Sequence, residues 1–243
     1  MFFYFPFFDL TYIILVPAII FTLIAQMCVK SAFAKGDSIK TARGITGAAA
    51  ARKILDDHGL YHISIERVGG HLTDHYDPKA GVIRLSQSVY DSTSAAAVGV
   101  AAHEAGHAVQ YATDYFPIRV RATLIPVTRI GSMLAMPLFL IGILLSYVYF
   151  QAPSPIAEIL MVSGIALYSF STLFQLITLP VEFNASKRAL AILEGWGTLS
   201  LDEHSAAKKV LSAAAMTYVA ALATSLLSLL RLVLIFSGRR GRR

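Results

Sequence analysis

The chain has 243 residues, a formal net charge of +6 and a sequence pI near 9.5, yet only 15% of it is charged while 56% is hydrophobic, with a mean hydropathy of +0.61. That balance excludes an ordinary soluble domain and places the chain among membrane proteins, with the lipid bilayer as a partner. It also speaks against nucleic acid as a partner, because no basic run is interleaved with aromatics and the one dense cluster, Arg239-Arg240-Gly241-Arg242-Arg243, follows an apolar segment, where basic residues report topology or anionic lipid.

Residues 10 to 29 carry no charge and are about as long as a bilayer-crossing helix requires. Phe2, Phe3, Tyr4, Phe5, Phe7 and Phe8 suit an interfacial aromatic belt before it. With no basic residue ahead of it and no small-residue cleavage pattern after it, the segment reads as an uncleaved anchor over 1–29. Its single cysteine, Cys28, can form no internal disulfide and reads as a buried thiol. Lys30, Lys35, Lys40 and Arg43 follow closely, so the positive-inside rule expects the N-terminus outside and the next stretch in the cytoplasm.

Residues 30–130 form that long polar stretch. Thr46 to His58 is predicted as an amphipathic helix stopped by Gly59. His62 to Val68 alternates as a strand ended by Gly69-Gly70, and Gly81 to Ser86 reads as another after the Asp77-Pro78 turn. A small antiparallel sheet is the expectation, with the 81–86 strand as the edge to which an extended peptide would add.

A helix from about Thr93 to Thr113 carries His103-Glu104-Ala105-Gly106-His107. The i, i+4 spacing stacks both imidazoles on one face, close enough to share a zinc ion, with Glu104 beside them as a general base. Seven histidines and six glutamates would supply this pattern by chance about 0.005 times in such a chain. The plain alternative, polar groups on an exposed helix face, fits poorly with the apolar residues around the motif.

Residues 133–150 are the second uncharged span, Gln151 to Pro155 a turn, and 159–179 the third span, ending at Pro180. Within 131–180 they make a transmembrane hairpin. Arg119, Arg121 and Arg129 precede it and Lys187 and Arg188 follow, so both ends belong on the cytoplasmic side. Residues 210–243 hold a fourth apolar stretch and the basic tail. A full crossing there would put the arginine tail outside and Arg231 in the membrane unless it snorkels; alternatively, 206–222 packs as a core helix on the catalytic region.

A catalytic zinc takes three protein ligands, so two histidines are incomplete. Glu158, Glu182, Glu194, Glu203 and His204 lie downstream, and the hairpin puts Glu158 on the opposite side. In the segment 181–209, Glu182 is expected in the first turn of a helix begun by Pro180, just inside the membrane boundary, and that placement favours it. A carboxylate at a helix N-terminus is also common without any metal.

Four runs in order then carry a resemblance: Leu72-Thr73-Asp74-His75-Tyr76-Asp77-Pro78, Ile83-Arg84-Leu85-Ser86, Ala101 to Gln110 around the histidines, and Leu179-Pro180-Val181-Glu182-Phe183-Asn184-Ala185-Ser186. Together they resemble the YugP-type neutral membrane zinc metallopeptidases, across nearly the whole chain. The resemblance implies a mostly α, α+β protein: a multi-span membrane protein whose cytoplasmic zincin-like catalytic domain joins helices to a small antiparallel sheet. It implies one Zn2+ on His103, His107 and Glu182, with Glu104 as catalytic base. The gluzincin relatives often carry an Asp four residues after the ligand Glu to orient a histidine; here Ser186 stands there, a weaker partner.

The chemistry expected is hydrolysis of peptides or membrane-associated proteins by zinc-activated water, with Glu104 moving the proton. His75, His204, Arg188 and Tyr218 are the available types for an oxyanion donor, each with an ordinary structural role as its alternative. His58, His62 and His71 read as surface or satisfied groups, and Trp196 as an interfacial loop anchor. The rival reading is a non-catalytic membrane scaffold with a structural zinc, which has no use for Glu104 and would favour four ligands, often cysteines. A transporter would carry ionisable groups at mid-membrane, where these spans have almost none.

Overall fold

The computed structural model describes residues 10–148, 155–197 and 199–240. The N-terminal aromatic run, Gln151 to Ser154 of the expected turn, and Gly241, Arg242 and Arg243 of the tail lie outside the described residues. A 3-10 turn, Leu10–Leu15, leads into α1 (Val16–Asp37). Then come α2 (Gly47–Asp57), β1 (Ser64–Val68), β2 (His75–Asp77), β3 (Val82–Ser86), α3 (Gln87–Tyr90) and α4 (Ala95–Ala112). Three long helices follow: α5 (Phe116–Val148), α6 (Pro155–Gly195) and α7 (Leu201–Arg240). Among the described residues, four helical stretches are long and apolar enough to cross a membrane: Thr11–Asp37, Phe116–Ser146, Pro155–Gly195 and Leu201–Gly238.

The described residues divide into two compact units. The first holds those up to Leu23, Val120–Thr178 and those from Val219 on. Its core gathers Phe139, Ile143, Met161 and Leu232. Hydroxyl pairs join its helices, Thr22 to Thr224 at 3.2 Å and Thr172 to Ser225 at 2.7 Å. Arg231 is buried here: its Nε donates to Thr11 Oγ1 at 3.1 Å and its guanidinium lies 3.7 Å over the Tyr12 ring.

The second unit, Ile24–Arg119 and Leu179–Tyr218, carries the polar sequence. Thr46 caps α2 by accepting the Ala49 N–H, and Gly59, at φ 71, turns the chain away after it. Arg52 fastens the turn by donating to the Leu60 and Ile63 carbonyls. Ser94 caps α4 in the same way through the Ala97 N–H. Ile54 and Leu55 of α2 are fully buried with Ala97, Ala101, Ala102, Ala105 and Ala108 of α4, whose short side chains allow close helix packing. Val210 and Leu211 of α7 complete this core, so the first part of the fourth apolar stretch packs within this unit and the part from Val219 in the other.

Several sequence expectations change. The sheet is mixed, not antiparallel: in the order β1-β3-β2, β3 pairs parallel with β1 and antiparallel with β2. β3 is therefore the central strand and not the edge expected, with no free edge for a peptide; β1 and β2 are the edge strands, and β2 takes in Asp77 of the expected turn. Pro180 lies inside the continuous α6 rather than starting a helix, since one missing N–H costs a single hydrogen bond within 41 residues. Cys28 is exposed, because α1 turns that face outward.

Candidate metal centre

α4 presents His103 and His107 one turn apart, their rings edge to face with centroids 4.7 Å apart. α6 brings Glu182 against them. Its Oε2 lies 3.2 Å from His103 Nε2 and 3.5 Å from His107 Nε2, and the carboxylate is buried, 2% exposed. The approach depends on Gly106: a Cβ there would sit 2.8 Å from the Ala185 carbonyl oxygen. Glycine in a helix interior costs about 1 kcal/mol relative to alanine, and that cost is met here by bringing α4 and α6 close enough to share ligands.

Each imidazole is held from behind. Gln110 Nε2 donates to the Val181 carbonyl at 2.8 Å and to Asn184 Oδ1 at 2.9 Å, so its Oε1 is the atom facing His107 Nδ1, 2.9 Å away. His107 Nδ1 must then carry the proton of that bond, which leaves Nε2 as the atom turned to Glu182. Arg188 Nε, 2.8 Å from Asn184 Oδ1, fixes the far end of the chain. His103 Nδ1 is paired with Ser186 Oγ at 3.1 Å, so the serine does reach the ring it was expected to orient weakly.

The ligand-type atoms of His103, His107 and Glu182 all lie within 4.8 Å of one another, and among the described residues no further His, Cys, Asp or Glu joins the group. Two neutral imidazole Nε2 atoms and one carboxylate oxygen, oriented from behind, are the donor set of a catalytic zinc, so the residues present fit the ion. Burial would lower the His107 pKa, but the hydrogen bond and charge of Glu182, with the charge of Glu104, outweigh it and raise the imidazole above its ordinary value.

Glu104 is buried on α4 and lines the same cavity as His103 and Glu182; among the described residues it makes no hydrogen bond or ion pair. Ser186 and Tyr218 also line that cavity. His75 and His204 do not: His75 is exposed on β2 and bonded to the Thr73 carbonyl, and His204 Nε2 faces the Leu190 carbonyl at 3.3 Å. Glu203 is buried and caps the Ala42 and Ser200 N–H groups at 2.8 and 3.0 Å. Trp196 donates to Asp57 and carries Lys53 over its ring, anchoring a loop to α2.

Gln110, Asn184 and Asp74 were not singled out from sequence. Gln110 had a signal, its i+3 position from His107 on the same helix face. Asp74 lines the cavity and is held by the Ser86 N–H at 2.7 Å and the Ser86 hydroxyl at 3.1 Å. Burial pushes its carboxyl up, against those hydrogen bonds.

Among the described residues, a helical chain with four candidate membrane spans holds a buried His-His-Glu cluster whose donor set fits a zinc ion, with the Glu104 carboxylate lining the same cavity. The chain matches the family described as "Putative neutral zinc metallopeptidase" over residues 11–237, and it belongs to that family. It is 47% identical over 216 residues, 89% of this chain and 92% of the relative, to "Putative membrane protease YugP" of Bacillus subtilis (strain 168). No solved structure gives a significant match.

Proposed function

We propose that this protein is a membrane-bound zinc endopeptidase acting on peptides or membrane-associated proteins, with one zinc ion on His103, His107 and Glu182. The observation that carries the reading is the convergence of two Nε2 atoms and one carboxylate oxygen within 4.8 Å, beside the unengaged carboxylate of Glu104. A closed structural site would use four ligands, whereas three leave a position open.

An ion held there supplies positive charge that polarises a scissile carbonyl and makes water acidic near neutral pH. Glu104 takes a proton from water as its oxygen bonds to the carbonyl carbon, and delivers it to the amine nitrogen as the C–N bond breaks. Gln110 and Ser186 keep the two imidazoles in register. Tyr218, a phenol lining the cavity, is the donor assigned to the oxyanion.

The positive-inside rule supports a cytoplasmic site: Lys30, Lys35, Lys40 and Arg43 follow the first apolar stretch, and Arg119, Arg121, Arg129, Lys187 and Arg188 flank the hairpin. On this reading the unit Ile24–Arg119 and Leu179–Tyr218 forms the catalytic part, so it stops short of residue 130 and takes in the first part of α7, and the apolar segments anchor it.

The test compares wild type with Glu104→Gln for zinc content and for cleavage of an unstructured peptide. Retained zinc with cleavage reduced about 10²- to 10⁴-fold supports the reading; equal cleavage by both proteins ends it. Full zinc occupancy in Glu182→Ala would move the third ligand elsewhere.

A further inference from the structure

We infer that the site selects an apolar side chain of leucine to phenylalanine size next to the scissile bond, received in a pocket that α7 and the 69–74 loop build beside the ligand cluster. This rests on the hydrolase reading above and names its substrate class.

The cavity beside His103, Glu104 and Glu182 measures about 170 Å³. Its far wall is one face of α7, where Leu211, Ala214, Ala215 and Tyr218 stand at i, i+3, i+4 and i+7. Leu211 is buried, 2% exposed, and the space is left by the two alanines in the middle of the row. A cavity of about 150 Å³ holds a benzene molecule, so this one, part of which lies over His103, Glu104 and Glu182, has room for at most a single branched aliphatic or phenyl group along α7. Phe33 of α1 closes another side.

The remaining wall is Leu72, a non-glycine residue at φ 56 that is 38% exposed. Such backbone strain, about 1–3 kcal/mol, gathers at ligand clamps. The loop is tied down on both sides of it: the Thr73 hydroxyl donates to the Gly69 carbonyl at 3.0 Å, and the His71 ring meets Phe33 edge-on at 5.6 Å.

Charge narrows the class further. Asp74, Glu104 and the ligand Glu182 line the cavity, and among the described residues no Lys or Arg does. An acidic substrate side chain would meet carboxylates with no cationic side chain to pair with, and is disfavoured.

The test uses blocked pentapeptides Ala-Ala-Xaa-Ala-Ala, with Xaa as Ala, Leu, Phe, Trp, Lys or Asp, measured two ways: binding to zinc-loaded Glu104→Gln protein, and cleavage by zinc-loaded wild type. Leu and Phe peptides are expected to bind and react at least about tenfold better than the Ala and Asp peptides. Adding Ala214→Leu to each protein fills the pocket and should erase the Leu and Phe advantage over the Ala peptide, with zinc content measured alongside. Should Ala214→Leu lose zinc, Leu72→Ala on the exposed loop carries the test by extending acceptance to Trp. Binding that discriminates as expected without wild-type cleavage would sink the hydrolase reading and leave the pocket standing. Cleavage or binding that ignores side-chain size, that both substitutions change equally for every peptide, or that favours Lys or Asp would overturn the pocket.

Discussion

His107 Nδ1 lies 2.9 Å from Gln110 Oε1, and the orientation of that amide is set by residues 71 and 74 positions further along the chain, Val181 and Asn184. Gln110 thereby ties α4 to the segment of α6 that carries Glu182, and fixes the His107 tautomer in the same step. Replacing it with leucine removes the tie to the Val181 carbonyl and to Asn184 and frees the ring. We expect Gln110→Leu to weaken zinc binding about 10- to 100-fold, the range for lost outer-shell partners. A zinc competition titration giving the wild-type Kd would remove Gln110 from this role.

Gly106→Ala tests the close approach. The added Cβ would press on the Ala185 carbonyl oxygen at 2.8 Å, and backbone on both sides leaves nothing flexible to move. The expected cost is about 1–3 kcal/mol of stability, accompanied by weakened zinc binding because the ligands on α4 and α6 are pushed apart. Gly195→Ala, where nothing lies within 4 Å, is the control and should change neither. Loss of stability with full zinc affinity in Gly106→Ala would separate the packing from the site.

Zinc affinity should depend on pH through His107. A proton and a metal ion compete for the same Nε2 atom, and without the ion the imidazole holds its proton above its ordinary value of 6.5 because Glu182 and Glu104 outweigh burial. Affinity is therefore full above that raised value and falls as pH drops through it, by about tenfold per unit for one displaced proton. The loss begins at a higher pH than for a free imidazole. Titrations between about pH 5 and 8 that show a flat Kd would contradict this.

Arg231 gives a prediction confined to the other unit. The residue is 8% exposed, its Nε bonded to Thr11 and its guanidinium 3.7 Å from the Tyr12 ring centroid. Tyr12→Leu keeps apolar bulk but removes the aromatic face, which should cost about 2 kcal/mol at a desolvated site. The thermal midpoint of detergent-solubilised protein should fall while zinc content stays whole; an unchanged midpoint would mean the stacking contributes nothing.

The sequence by itself determined the chemistry that sits on one element and the segments that answer to length. His103, Glu104 and His107 are legible because i, i+4 geometry is fixed within a single helix, and the apolar stretches because a bilayer sets how long they must be. Glu182 was within reach as a carboxylate following an apolar run, although the helix start expected at Pro180 does not exist. Tertiary structure alone decided which atoms meet. β2 is three residues long, too short to alternate, and becomes a strand only because β3 offers it an edge. Asp74 reaches the cavity because that edge places it there. Gln110 and Ser186 gain their roles from contacts spanning 71 and 83 positions, which periodicity cannot register. For the α7 face at Leu211, Ala214, Ala215 and Tyr218 the sequence leaves two readings, a membrane crossing or a helix packed on the catalytic region; folding makes it a pocket wall, because burial of a helix face depends on what packs against it.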